Sequence, residues 1–321
     1  MVAEYLLISV RRFSFLEGGI WGIMKKIGFI GAGKVGSALA LLLQRNGYEI
    51  VGVASRTPAS AEKLANRLQS PVLTRGEVCR RSEALFITTT DDAIHQVVSE
   101  LAAEGSFRQG QIVLHTSGAL TAEVLAPAAA QGAITVSLHP LQSFATVEQA
   151  LAILPGSYFS IEGDQRGFSF AQEVVEKLKG KYFYLDSAAK VLYHAAACVA
   201  SNYLVGLLAC ALDLFAAAGI PEEMRLPAIL PLVTGTVDNI RKIGIPSALT
   251  GPLARGDLGT IAKHLRALQE LPEQETVYTR LGLYTLKVAL AKGSITEDQG
   301  RELRALLEKG VGEKFHREEE K

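Results

Sequence analysis

Two short segments place a histidine close to a hydroxyl: His115-Thr116-Ser117-Gly118 and His139-Pro140-Leu141-Gln142-Ser143. An imidazole donates or relays a proton near neutral pH, and a serine hydroxyl can hold a substrate oxygen. A third group follows at Lys190 and His194. On a helix turning about 100° per residue, His194 falls about 40° and Ser201 about 20° from Lys190, with Asn202 flanking this polar stripe. A lysine beside a buried site can protonate a forming alkoxide or hold a carboxylate. Later, Thr250-Gly251-Pro252-Leu253-Ala254-Arg255-Gly256-Asp257 offers Arg255 as a carboxylate clamp, although a turn with a local Arg255–Asp257 pair accounts for it equally well. The candidate catalytic residues are therefore Ser117, His139, Lys190 and His194, and the candidate substrate-binding residues are Ser201, Asn202 and Arg255.

A second constellation points to a nucleotide. Gly31-Ala32-Gly33-Lys34-Val35-Gly36 has the G-x-G-x-x-G spacing, after the apolar run Ile27–Ile30 and before the helical stretch Val35–Arg45. Gly31 permits a tight turn, Gly33 lets the backbone approach a pyrophosphate, and Gly36 lets helix and strand pack closely. The helix N-terminus adds unpaired N–H groups for phosphate. At the end of the next strand, Val53-Ala54-Ser55-Arg56-Thr57 carries no acid where an NAD site needs one. Arg56 can instead pair with a 2′-phosphate while Ser55 and Thr57 donate to it, so NADP(H) is the expected cofactor. Thr89 and Thr90 close the run Leu85–Thr90, counted as the fourth strand of such a unit, and are placed at the nicotinamide ribose.

These residues need a scaffold, and the pattern supplies one. Strands are expected at Ile27–Ile30, Glu49–Ala54, Leu85–Thr89, Ile112–His115, Ile134–Leu138, Tyr158–Ile161 and Tyr182–Leu185, with helices at Val35–Arg45, Pro58–Leu68 and Asp91–Ala103 between them. Short apolar strands alternating with helices read as a doubly wound parallel sheet covered on both faces, an α/β fold. After Asp186 the pattern is helical: Ala188–Ala218, Glu222–Ile243, Leu258–Leu271, Glu273–Ala291 and Thr296–Lys309. The expected organisation is a nucleotide-binding domain over 24–187, a helical domain over 188–310 and a charged, frayed tail over 311–321. Residues 1–23 read as a doubtful leader, since Arg11-Arg12 follow rather than precede the apolar run and Met24 stands just before the first strand.

Composition narrows the partners. The 321 residues carry 33 Lys+Arg against 33 Asp+Glu, which leaves no basic footprint for nucleic acid or an anionic membrane. Cys79, Cys198 and Cys210 share no short spacing, so neither a zinc site nor a disulfide framework is expected, and the compartment expected is the reducing cytoplasm. The apolar stretch Ala195–Ala218 contains Asp213 and is rich in alanine, which favours the buried central helix of a soluble domain over a membrane span.

The glycine fingerprint, His115-Thr116-Ser117-Gly118-Ala119, Ser137-Leu138-His139-Pro140-Leu141-Gln142-Ser143-Phe144, Lys190-x-x-x-His194 and Gly251-Pro252-Leu253-Ala254-Arg255-Gly256-Asp257 together resemble a bacterial family that joins a Rossmann-like domain to a helical domain of unknown function. The resemblance spans about residues 24–300. It implies a Rossmann-type sheet followed by an all-α domain of the 6-phosphogluconate dehydrogenase-like type, and kinship with ketopantoate reductases, 3-hydroxyisobutyrate dehydrogenases, pyrroline-5-carboxylate reductases and prephenate dehydrogenases. Ser117 with His139-Pro140 is similar to the substrate-contacting elements of prephenate dehydrogenases. Lys190 is similar to the catalytic lysine of hydroxyisobutyrate dehydrogenases and ketopantoate reductases, although those enzymes carry Asn where this chain has His194. The implied activity is NADPH-dependent reduction of a small anionic 2-oxo acid, with ketopantoate as the leading candidate. An imine reductase of the pyrroline-5-carboxylate type and a non-catalytic NADPH-binding regulator remain as alternatives. A homodimer through the helical domain is also implied.

Overall fold

The computed structural model describes residues 26–318, with side chains through 309. The expected leader, 1–23, lies outside them. In chain order the elements are β1 (Lys26–Ile30), α1 (Lys34–Arg45), β2 (Glu49–Ala54), α2 (Pro58–Leu68), α3 (Arg75–Arg81), β3 (Ala84–Ile87), α4 (Asp91–Ala103) and β4 (Ile112–His115). There follow α5 (Ala126–Ala129), β5 (Ile134–Pro140), α6 (Val147–Ile153), β6 (Tyr158–Gly163), α7 (Phe168–Lys177) and β7 (Lys181–Tyr184). The helical part consists of α8 (Lys190–Ala200), α9 (Asn202–Ala217), α10 (Glu222–Ile243), α11 (Ile245–Ala248), α12 (Pro252–Arg255), α13 (Leu258–Ala267), α14 (Pro272–Lys292) and α15 (Glu297–Glu318).

The strands form one seven-stranded sheet in the order β2-β1-β3-β4-β5-β6-β7. All neighbours are parallel except β5 and β6, which run antiparallel. The sheet is thus the expected doubly wound, mostly parallel one, and the single reversal at β6 is a detail that apolar patterning cannot report, since it marks burial of a strand and not its direction. The run counted as the fourth strand is the third, β3, and pairs directly with β1. Among the described residues, β2 is met on its outer side by the isolated bridge Val53↔Val72.

Burial on both faces explains the composition of β1, β3 and β4, which hold Phe29, Phe86 and Leu114 in one cluster and Ile30, Ile87 and Val113 in the other. Strand β5 is different. Its sequence, Ile-Thr-Val-Ser-Leu-His-Pro, alternates, so Ile134, Val136 and Leu138 enter the apolar cluster while Thr135, Ser137 and His139 share the opposite face. In the antiparallel register Ser137 faces Glu162 and His139 faces Ser160, and in the parallel register with β4 Ser137 faces His115. At the His115 end of β4, one face of the three adjacent strands is therefore polar.

The chain divides into two compact units between Cys198 and Val199. Within the second, a small core of Ile261, Leu286, Ala289, Leu303 and Leu307 joins α13, α14 and α15. Helix α15 runs on to Glu318, past the expected end at Lys309. The expected single buried helix Ala188–Ala218 is also corrected. It breaks at Ser201, whose φ is −119° and ψ −67°, and α9 buries none of its residues. Val205 is 70% exposed and Tyr203 67%. Composition marks a helix that avoids water, but not whether its own chain covers it.

The glycines of the first turn give this fold a sharp test. A Cβ on Gly36 would lie 2.2 Å from Thr88 Oγ1 and 2.4 Å from Gly31 O, whereas one on Gly33 would meet nothing within 4 Å. Gly36→Ala should lower the unfolding free energy in urea by about 1–3 kcal/mol. Gly33→Ala should leave it within about 0.5 kcal/mol of the native value.

Candidate active site

The turn after β1 is shaped by close approach. Gly31 sits at φ +112°, and a side chain there would strike the backbone of Thr88 and Thr89. Thr88 fastens the turn by donating from Oγ1 to Gly31 O at 2.7 Å. Gly33 is the N-cap of α1, with no side chain capping the helix and no acid in its first turn. Its open Cβ position and the free N–H groups of the helix start suit a diphosphate. Ala32, Lys34 and Val35 complete this turn, with Lys34 exposed. Ser55 is half-buried at the end of β2, and Arg56 and Thr57 are exposed. Arg56 makes no ion pair among the described residues. Thr89 is half-buried and Thr90 is the N-cap of α4. These residues fit a 2′-phosphorylated dinucleotide: a phosphate cradle at β1–α1 and an unpaired guanidinium where a ribose phosphate would fall.

The second cluster lies on the polar face of β4, β5 and β6, met by α8. Lys190 opens that helix, is fully buried, and donates from Nζ to Ser137 Oγ at 2.6 Å. Burial pulls its ammonium down to about 8, opposed by the nearby carboxylates of Glu162 and Asp91. Three and four residues on, Tyr193 and His194 share its helix face. The Tyr193 hydroxyl shares a 2.7 Å hydrogen bond with His139 Nδ1. Burial raises the Tyr193 phenol above its usual range, so the hydroxyl stays protonated.

His115 is held in one tautomer. The Ser117 N–H donates to its Nδ1 at 3.1 Å, so Nε2 carries the proton and faces the Thr121 carbonyl at 3.1 Å. Both nitrogens are thereby engaged, and His115 is a structural member of the face. Ser117 is similarly committed. Its hydroxyl donates to Asp91 Oδ2 at 2.8 Å and accepts from the N–H groups of Ala119 and Leu120. With its donor and both lone pairs in use, Ser117 shapes the loop after β4 and does not present a free hydroxyl to substrate.

Gly118 is where the two other imidazoles converge. A Cβ there would lie 2.5 Å from His194 Nδ1 and 2.8 Å from His139 Nε2. His194 Nδ1 is buried without a hydrogen-bond partner, while its Nε2 faces Cys198 Sγ at 3.6 Å. His194 Nδ1 therefore holds an unused hydrogen-bonding position beside His139.

Ser137, Tyr193, Asp91 and Glu162 escaped the sequence reading. Thr135, Ser137 and His139 alternating through an apolar strand was the available signal. Ser201 is half-buried at the break between α8 and α9, and Asn202 is exposed at the start of α9. Arg255 ends the short α12, next to Asp257, which caps α13 by accepting from Thr260 N at 2.9 Å.

The fold and these two clusters define a dinucleotide-binding α/β unit followed by a helical one. Residues 16–140 match the Rossmann-like domain and residues 157–285 match a domain of unknown function, DUF2520. The chain thus joins a Rossmann-like domain to a DUF2520 domain. A Bacteroides fragilis protein described provisionally as an NADP oxidoreductase is 24% identical, with a TM-score of 0.66 over 82% of this chain and 98% of that one. A Thermotoga maritima protein is 27% identical, with a TM-score of 0.65 over 83% and 99%. The pyrroline carboxylate reductase of Plasmodium falciparum, solved with NADP bound, is 14% identical, with a TM-score of 0.54 over 88% and 99%. A search of curated proteins finds no match.

The buried histidines give a pH signature. Desolvation first, then the Lys190 charge, pulls His115 and His139 down to about 3. Both are neutral when folded at pH values where an unfolded histidine, at about 6.5, takes a proton. Their contribution to stability is complete above about 6.5 and is lost as pH falls from there towards 3. Between pH 6.5 and 5 the unfolding free energy should decline, approaching about 1.4 kcal/mol per pH unit for each histidine. Urea unfolding at several pH values checks this, and His139→Gln should flatten the slope.

Proposed function

We propose that the chain is an NADPH-dependent reductase of a small 2-oxo acid. The observation that carries this reading is the fully buried Lys190 ammonium, hydrogen-bonded to Ser137 among neutral histidines, at the end of the sheet where β1 delivers its glycine turn. Gly31, Gly33, Gly36 and the start of α1 would hold the pyrophosphate, Ser55, Arg56 and Thr57 the 2′-phosphate, and Thr89 and Thr90 the nicotinamide ribose. When bound, NADPH supplies a hydride to an electron-poor carbon.

The chain's own residues supply the rest. With its ammonium at about 8, Lys190 is mostly protonated at neutral pH and can pass a proton from Nζ to a forming alkoxide oxygen. His139 is neutral in this environment, so it serves as a hydrogen-bonding partner rather than the charged acid. Its Nδ1 is held by Tyr193, which leaves Nε2, with His194 Nδ1, to orient the substrate's polar atoms. A buried cation favours a carboxylate or alkoxide and disfavours a protonated iminium, which ranks oxo acids above imines. The fold shared with pyrroline carboxylate reductase keeps cyclic imines in the test panel. Ser201, Asn202 and Arg255 are the proposed substrate-binding residues of the helical unit.

A spectrophotometric screen of NADPH oxidation, with ketopantoate as the first compound and cyclic imines in parallel, decides the substrate class. Lys190→Met should reduce turnover about 10²-fold or more with cofactor binding intact. Arg56→Ala should weaken NADPH about 10- to 100-fold, the loss of a charge-assisted bond, with little effect on NADH. NADPH binding without turnover of any compound would instead favour a regulator.

We further propose that the protein is a cytoplasmic homodimer formed through its helical unit. Segment Ser187–Ala217 is long and apolar enough to cross a membrane by length and composition. Its Lys190, however, is sealed against a sheet residue, and its Asp213 accepts a hydrogen bond from Gln274. Exposed Val205, Leu232 and Ile243 on α9 and α10 continue the apolar surface, and covering it with the same surface of a second copy removes it from water. Sedimentation equilibrium should give twice the chain mass without detergent, and Val205→Glu should shift the species towards monomer. Recovery only in a membrane fraction would overturn this reading.

A further inference from the structure

Glu162 has no part in the reaction just described, yet it is the most buried carboxylate near the site, 1% exposed on β6. Both of its oxygens are engaged. Oε2 accepts from Ala122 N at 2.9 Å, where the chain turns after the Ser117–Gly118 loop. Oε1 accepts from Ser187 Oγ at 2.6 Å, in the turn that leads into α8. One carboxylate therefore ties the loop after β4 to the entry of the helix that carries Lys190. In the β5–β6 ladder Glu162 stands directly opposite Ser137, on the same face of the sheet, and Ser137 is the residue to which Lys190 donates.

We propose that Glu162 is a positioning residue for Lys190: its carboxylate fixes where the helix enters the site and supplies the buried negative charge that keeps the lysine protonated. The titratable groups around the ammonium are Glu162 from β6, Asp91 from the start of α4, His115 from β4 and His139 from β5. The two imidazoles are neutral and offset none of its charge. Asp91 is exposed, so water and salt screen it. Glu162 is screened by neither, and its attraction is the first of those that oppose the desolvation of Lys190. Without that charge, an ammonium sealed from solvent reverts towards the neutral amine and has no proton to give. This role bears on catalysis through the reading of Lys190 as proton donor, but the charge coupling exists without turnover and is measurable without a substrate.

The test is an NMR titration of the full-length protein labelled with ε-13C-lysine, with the Lys190 signal assigned by its loss in Lys190→Met. In native protein the signal should titrate with a midpoint near 8. In Glu162→Gln, which keeps the shape and removes the charge, the midpoint should fall by about one pH unit or more, a tenfold larger neutral fraction at a given pH below it. Ser187→Ala keeps the charge and should hold the midpoint within about half a unit of native, on the same scale. If Glu162→Gln does not fold, Glu162→Asp withdraws the charge by one methylene and should give a smaller fall. A folded Glu162→Gln, or failing that Glu162→Asp, with an unchanged midpoint overturns the proposal. So does an equal fall in Ser187→Ala, which would assign the effect to the hydrogen bonds alone. A shifted midpoint in a protein that turns over no compound would leave this coupling standing and remove only the proposed reaction.

Discussion

An ammonium group without water is the constraint on which the first unit is organised. Burying the Lys190 charge is costly unless neighbouring groups replace its hydration. A helix cannot supply those groups from its own backbone, so the sheet beneath must. Strand β5 meets the demand by alternation, Ile134, Val136 and Leu138 keeping the hydrophobic layer continuous while Ser137 and His139 turn towards the lysine. The reversal of β6 extends the same face, because the antiparallel register sets Glu162 opposite Ser137 and Ser160 opposite His139. His115 and His139 are then held neutral beside the lysine, and each is fixed by neighbours that suit the neutral ring.

The nucleotide end obeys a steric rule instead of an electrostatic one. Gly31 and Gly36 are required because β1, α1 and the end of β3 approach until a methyl group would collide with Thr88. Gly33 is in open space, and its bareness faces outward. The three glycines of the motif therefore answer two different demands, packing within the protein and access from outside it.

Much of this was legible in the sequence. Strands β2 and β4 and helices α2 and α4 occur where periodicity and caps place them, because local apolar spacing and a Pro or Asp at a helix start are local signals. The direction of β6 was not legible, since a strand buried on both faces looks alike in either orientation. Nor were Asp91, Ser137, Tyr193 and Glu162 as site members, because their roles come from register across strands and from helix–sheet contact, not from spacing along the chain. Lys190 and His194 were found because one helical turn separates them. Ser201 was carried along by the same arithmetic, and the break at that residue ended the phase.

Gly118 shows how such a site could diversify. Because this residue has no side chain, the rings of His139 and His194 can reach the place its Cβ would fill. Substitution at position 118 cannot enlarge or reshape the space between the imidazoles; it can only displace them. Variation in what the site accepts must then enter through α8, where His194, whose hydrogen-bond contact is with Cys198 of the same helix, can be exchanged without breaking a bond to a strand. The sheet is the fixed side of the site, and the helix is the adjustable one.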